Sequence, residues 1–106
     1  MLKTLKKVIR MTELLYLENS YLQEFDAAVE EADGKRIVLN RTAFYPEGGG
    51  QPSDTGALVR ESDGNEFNIL QVRKAEGKVW HEVSEAGLQN GDKLVGKINW
   101  ERRYKF

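Results

Sequence analysis

The residues with chemical potential crowd into one stretch of this 106-residue chain, Thr42-Ala43-Phe44-Tyr45-Pro46-Glu47-Gly48-Gly49-Gly50-Gln51-Pro52-Ser53-Asp54-Thr55-Gly56. Both prolines of the chain lie in it. Consecutive glycines reach positive φ and let a backbone come close to a ligand. Gly48, Gly49 and Gly50 can therefore present successive N–H groups to an anion or a terminal carbonyl, as a nest does. Pro46 and Pro52 hold the flanks extended, since each also restricts the residue before it. Thr42 brings a hydroxyl and Gln51 an amide, and both groups donate and accept. Asp54 can cap a turn or anchor the loop. No Gly-Lys-Ser/Thr occurs and no helix is expected after the glycines, so neither the Walker A nor the dinucleotide fingerprint fits. For the glycines taken alone, a β-bulge or wide turn is the competing reading.

The rest of the chain offers little else for catalysis. There is no cysteine and one histidine, His81. Zinc sites take three or four His, Cys or carboxylate ligands, which this composition supplies poorly. A Ser-His-Asp arrangement would have to use His81 as its base. Val79, His81 and Val83 share one face of an alternating segment, so His81 reads as a partly buried strand histidine with no nucleophile beside it. Trp80 and Phe67 read as core rather than as stacking platforms for bases.

These residues need a scaffold, and the length allows one core. Hydrophobic residues make up 40 % and charged residues 31 % of the chain, the balance of a soluble globular protein. No apolar run is long enough to span a bilayer. The start, MLKTLKKVIR, lacks the continuous apolar run and cleavage site of a secretory signal. With the absence of cysteine, this points to a cytoplasmic setting. The net charge is −1, but residues 1–10 hold Lys3, Lys6, Lys7 and Arg10 without an acid, leaving −5 on the remainder. Arg102, Arg103 and Lys105 make the other end basic again. The whole-chain charge gives no nucleic-acid footprint, and no DNA partner is expected, although the ends can touch phosphate.

Leu2, Leu5, Val8 and Ile9 have near-helical spacing, which predicts a short helical extension over residues 1–10. From Glu13 the period becomes two, and a short strand is expected through Leu17. Phe25, Ala27 and Val29 alternate with polar neighbours, and Asp33-Gly34 then signals a hairpin back through Ile37, Val38 and Leu39. Further strands are expected over Ala57–Arg60, Phe67–Val72, Lys78–Val83 and Lys93–Trp100. Turn signals recur about every ten residues, the mark of an all-β sandwich or barrel. Phe44 and Tyr45 should point to opposite faces. The last residues, from Glu101, read as the start of a helix.

The Thr42–Gly56 string resembles the glycine-rich motif of alanyl-tRNA synthetase editing domains and, more closely, that of the free-standing AlaX trans-editing proteins. Leu14 to Phe25, LLYLENSYLQEF, is similar to the start of medium-length AlaX proteins. Ile98 to Phe106, INWERRYKF, is similar to the segment leading into their catalytic domain. The resemblance implies a small closed or partly open antiparallel β-barrel of the translation-protein type over residues 11–100. Residues 101–106 would begin a connector to a separate zinc-binding domain with an HxxxH motif. It implies hydrolysis of seryl- or glycyl-tRNA(Ala) by the parent protein, with the zinc carried by that other domain and none in this part. Thr42 then matches a threonine near the aminoacyl group, and Gly48, Gly49, Gly50 and Gln51 match the pocket wall. Arg102, Arg103 and Lys105 would meet the tRNA acceptor end. On this reading the chain is the amino-terminal half of an editing enzyme and inactive alone. A stand-alone, non-catalytic barrel that binds RNA or a protein partner is the alternative.

Overall fold

The computed structural model describes residues 12–19, 21–48 and 50–101. The expected helix over residues 1–10 and the basic residues Arg102, Arg103 and Lys105 lie outside them, as does Gly49. Trp100 and Glu101 have helical conformation.

Among the described residues, eight strands and one short helix follow one another: β1 (Glu13–Leu14), α1 (Leu15–Glu18), β2 (Glu24–Asp33), β3 (Arg36–Leu39), β4 (Arg41–Thr42), β5 (Gly56–Arg60), β6 (Glu66–Ala75), β7 (Lys78–Val83) and β8 (Lys93–Ile98). Six of them close a barrel in the order β2-β3-β7-β6-β5-β8, every neighbouring pair antiparallel. Closure leaves the barrel itself without a free edge. The all-β expectation holds, and the barrel is closed.

Alternation decides which residues face inward. Phe25, Ala27 and Val29 on β2 are buried, as are Phe67, Ile69 and Val72 on β6 and Val79 and Val83 on β7. They join Ile37, Leu39, Leu58 and Leu94 in one core. A two-residue hairpin joins β6 and β7, where Glu76 (φ 56°) and Gly77 (φ 76°) both have positive φ, the sign pattern of a type I′ turn. At the β2–β3 turn Asp33 pairs with Arg36, so the two loop residues are Gly34 and Lys35. Only Gly34 has positive φ there (62°), which is the II′ pattern. The hairpin expected at Asp33-Gly34 exists, with its turn centred one residue later.

The strand expected through Leu17 ends early. β1 pairs in parallel with β4 for two residues, and Leu15–Glu18 then forms a single helical turn. Leu15 and Tyr16, neighbours that alternation would send to opposite faces, are both buried. Helical backbone allows this: Leu15 reaches the core while the Tyr16 ring lies 4.5 Å from that of Tyr45. The outer wall of β7 carries a second departure. Trp80 is buried, yet it lies outside the core cluster, with the Arg36 guanidinium 4.7 Å from its ring centre and the Lys78 ammonium 5.7 Å away. Phe67 belongs to the core as expected.

Candidate functional site

The glycine-rich segment leaves the barrel at β4 and rejoins it at β5. Its two flanks are fastened to each other and to the wall. Tyr45 N–H donates to Asp54 Oδ2 at 2.8 Å, and Asp54 N–H donates back to the Tyr45 carbonyl at 2.9 Å. Of the two roles open to Asp54, capping a turn or anchoring the loop, the structure shows the anchor. Ser53 Oγ accepts from Val72 N–H at 3.0 Å and donates to the Asp54 carbonyl at 3.0 Å. Glu47 N–H reaches the Val72 carbonyl at 2.9 Å, and Gln71 Nε2 donates to the Glu47 carboxylate at 2.6 Å. Both flanks of the string are thus tied to β6, through Glu47 on one side and Ser53 on the other.

At the tip Gly48 and Gln51 exchange backbone hydrogen bonds, Gly48 N–H to the Gln51 carbonyl at 3.1 Å and Gln51 N–H to the Gly48 carbonyl at 2.8 Å. Gln51 closes the turn, and Gly50 within it has φ 83°. Tyr45, Pro46, Gly48, Gln51 and Pro52 line a cleft of about 300 Å³ beside this turn. Clefts of about 420 and 490 Å³ flank the β6–β7 hairpin tip and the Ala86–Asn90 loop, but neither contains the string.

Phe44 and Tyr45 do face opposite ways. Phe44 is fully buried, edge-on to Phe25 (5.4 Å between centroids), whereas Tyr45 is 38 % exposed. The Tyr45 hydroxyl donates to the Tyr16 carbonyl at 3.3 Å. Burial, with Tyr45 adding a smaller repulsion, raises the pKa of the Tyr16 phenol. The tilted pair of Tyr16 and Tyr45 rings gives this corner an aromatic surface suited to apolar or stacked groups.

Gly56, the last residue of the string, has an internal reason to be glycine. A Cβ there would collide with the Lys97 carbonyl and lie 2.9 Å from the Phe44 ring. Gly48 and Gly50 differ, since a Cβ at either would meet nothing within 4 Å. Gly50 still needs its positive φ. Gly48 needs neither the conformation nor the room for the sake of the chain itself.

Thr42 sits apart from the cleft. It is fully buried, and its hydroxyl lies 2.8 Å from His81 Nε2. His81, expected to be partly buried, has no exposed surface at all. Desolvation lowers its pKa to about 4, opposed only by the bond to the Ile37 carbonyl, so the ring is neutral at pH 7. Both ring nitrogens are engaged, Nδ1 with the Ile37 carbonyl at 3.0 Å and Nε2 with Thr42. No three His, Asp or Glu side chains converge among the described residues. With no cysteine and both nitrogens of the one histidine occupied, the donor set does not fit zinc. Sequence reasoning missed the Thr42–His81 contact and the tie from Ser53 to β6, because both join residues distant along the chain.

Residues 5–102 match the family described as tRNA synthetases class II (A). The chain belongs to this family. It is 57 % identical over 100 residues to an alanyl-tRNA editing protein AlaX-M of Methanosarcina barkeri, covering 90 % of this chain and 41 % of that protein. It is 42 % identical over 98 residues to the AlaX-M protein of Saccharolobus solfataricus, again across 41 % of the relative. An alanine–tRNA ligase of Methanothrix thermoacetophila is 48 % identical over 92 residues, which is 87 % of this chain and 10 % of the ligase. The chain thus spans about two fifths of the AlaX-M relatives and a tenth of this ligase. Among the described residues of this class II family member, no helix is long and apolar enough to cross a membrane.

Proposed function

We propose that this chain is the amino-terminal barrel of a cytoplasmic alanyl-tRNA editing hydrolase, and that its glycine-rich turn forms one wall of the site holding the aminoacyl ester at the tRNA 3′ end. The AlaX-M relatives, alanyl-tRNA editing proteins by name, support the editing part of this reading. One observation on the molecule carries the assignment to the turn: Gly48 is glycine beside open space, with no demand from its own φ or packing. Bare backbone next to an open cleft suits close approach by another molecule. Gly48, Gly49, Gly50 and Gln51 form the wall, with Thr42 set behind it. Seryl- and glycyl-tRNA(Ala) are the substrates, and Arg102, Arg103 and Lys105 meet phosphates of the acceptor end.

The residues of this chain bind and orient. The metal and its activated water belong to the remaining part of the parent protein, because the donors here do not fit zinc. The test compares the chain alone with the chain joined to that part, each given seryl-tRNA(Ala). Deacylation is expected only from the joined protein. Zinc-dependent turnover by the 106 residues alone would overturn this reading. Tight tRNA binding by the chain, with no effect of its removal on hydrolysis by the remainder, would favour a separate binding module.

A further inference from the structure

The directions of the hydrogen bonds around His81 follow from its partners. The Ile37 carbonyl can only accept, so Nδ1 must carry the proton. In a neutral ring Nε2 is then bare, and the Thr42 hydroxyl must donate to it across 2.8 Å. The same oxygen accepts from Phe44 N–H at 3.1 Å. The one proton of Thr42 is therefore committed, its oxygen holds the backbone two residues on, and the residue has no exposed surface. Three parts of the molecule meet at this junction: β3 through Ile37, β7 through His81, and the entry to the glycine-rich segment through Thr42 and Phe44. The Phe44 ring also stands edge-on to the imidazole, 5.8 Å between centroids.

We propose that His81 is a positioning residue, and that Thr42 and His81 form a buried latch setting where the glycine-rich wall stands, so that Thr42 influences the aminoacyl site without touching the substrate. This rests on the placement of the ester beside the glycine-rich turn. It differs from direct recognition in one measurable respect. A threonine that hydrogen-bonds a serine hydroxyl discriminates seryl from glycyl esters, because its loss affects only the substrate that has the hydroxyl. A latch behind the wall affects both esters alike.

The experiment uses the full editing protein that contains this chain, with Thr42→Val, Thr42→Ser, His81→Asn and the Val/Asn double variant. Thr42→Val and His81→Asn should each lower kcat/KM about tenfold, the equivalent of one hydrogen bond, for seryl- and glycyl-tRNA(Ala) by the same factor. Thr42→Ser, which keeps the hydroxyl, should restore activity to within about twofold of the parent, a loss well under one hydrogen bond. The double variant should be no worse than the poorer single one, because both remove the same junction. Loss confined to seryl-tRNA(Ala) in Thr42→Val, or additive losses in the double variant, would overturn the latch. Nitrogen-15 NMR of the unsubstituted chain tests the junction without relying on folding of a variant. It should show a protonated Nδ1 and a bare Nε2, and a proton on Nε2 would end the proposal. A parent protein that deacylates neither ester would instead overturn the proposed function, while the tautomer measurement still decides the latch.

Discussion

Gly56 and Gly48 belong to the same string, eight residues apart, and are glycine for different reasons. Gly56 lies in the barrel wall, where the Lys97 carbonyl and the Phe44 ring occupy the place of a side chain. Gly96, opposite Phe25 on β8, is alike, since a Cβ there would come within 2.6 Å of the Phe25 ring. Gly48 lies on the rim, and its side-chain position is empty. The wall is shaped by what the chain packs against itself. The rim keeps a bare backbone that the chain's own packing does not require, and the proposed site rests on that difference.

The comparison is most exposed at Gly56. Gly56→Ala should destabilise the barrel by about 3 kcal/mol or more, because the clash is with backbone and a packed ring that cannot step aside. Urea unfolding measures this, and a near-neutral result would remove the distinction between wall and rim. Next is the buried histidine of the wall. Its pKa is depressed from 6.5 in the unfolded chain to about 4 in the fold, so the unfolded state binds the extra proton first. The stability tied to His81 is fully present above pH 6.5 and is lost as pH falls from 6.5 towards 4, up to about 3 kcal/mol. The slope of unfolding free energy in that window should flatten in His81→Asn, and an unchanged slope would show that other groups carry it.

At the junction of wall and rim, Asp54→Ala leaves the partly buried Tyr45 N–H without its carboxylate. A loss of about 2 kcal/mol is expected by thermal unfolding, with faster amide exchange confined to the string. A loss below about 0.5 kcal/mol, the size of an ordinary surface change, would mean the segment is held mainly through Ser53 and β6. The smallest effect on stability belongs to the rim. Gly48→Ala should shift unfolding by less than about 1 kcal/mol, in the stabilising direction, because it restricts the unfolded chain and meets nothing in the folded one. Deacylation of seryl-tRNA(Ala) by the full protein should nevertheless fall at least about tenfold, a cost of roughly 1.4 kcal/mol in the transition state. A fully active Gly48→Ala protein would take the rim out of the site.

Much of this arrangement was open to reading before any coordinates. The alternation of Phe25, Ala27 and Val29, the Asp33-Gly34 hairpin and the opposite facing of Phe44 and Tyr45 all follow from local periodicity and turn chemistry. Anchoring was one of two roles open to Asp54 from its place in the string. Leu15–Glu18 was misleading because alternating apolar residues fit a strand, while the structure needs both Leu15 and Tyr16 buried and coils the backbone to do it. Trp80 looked like core and instead lies under the charged groups of Arg36 and Lys78 on the outside of the barrel, an arrangement with no local signature.

The sequence by itself determined the all-β class and most strand boundaries to within a few residues, because these rest on periods of two residues and on the φ preferences of glycine and proline. Only the tertiary structure decided the closing order of the strands and what Thr42 and His81 are for. They are 39 residues apart. What joins them is the burial of two polar groups that must satisfy each other, and that requirement exists only after the barrel has closed around them.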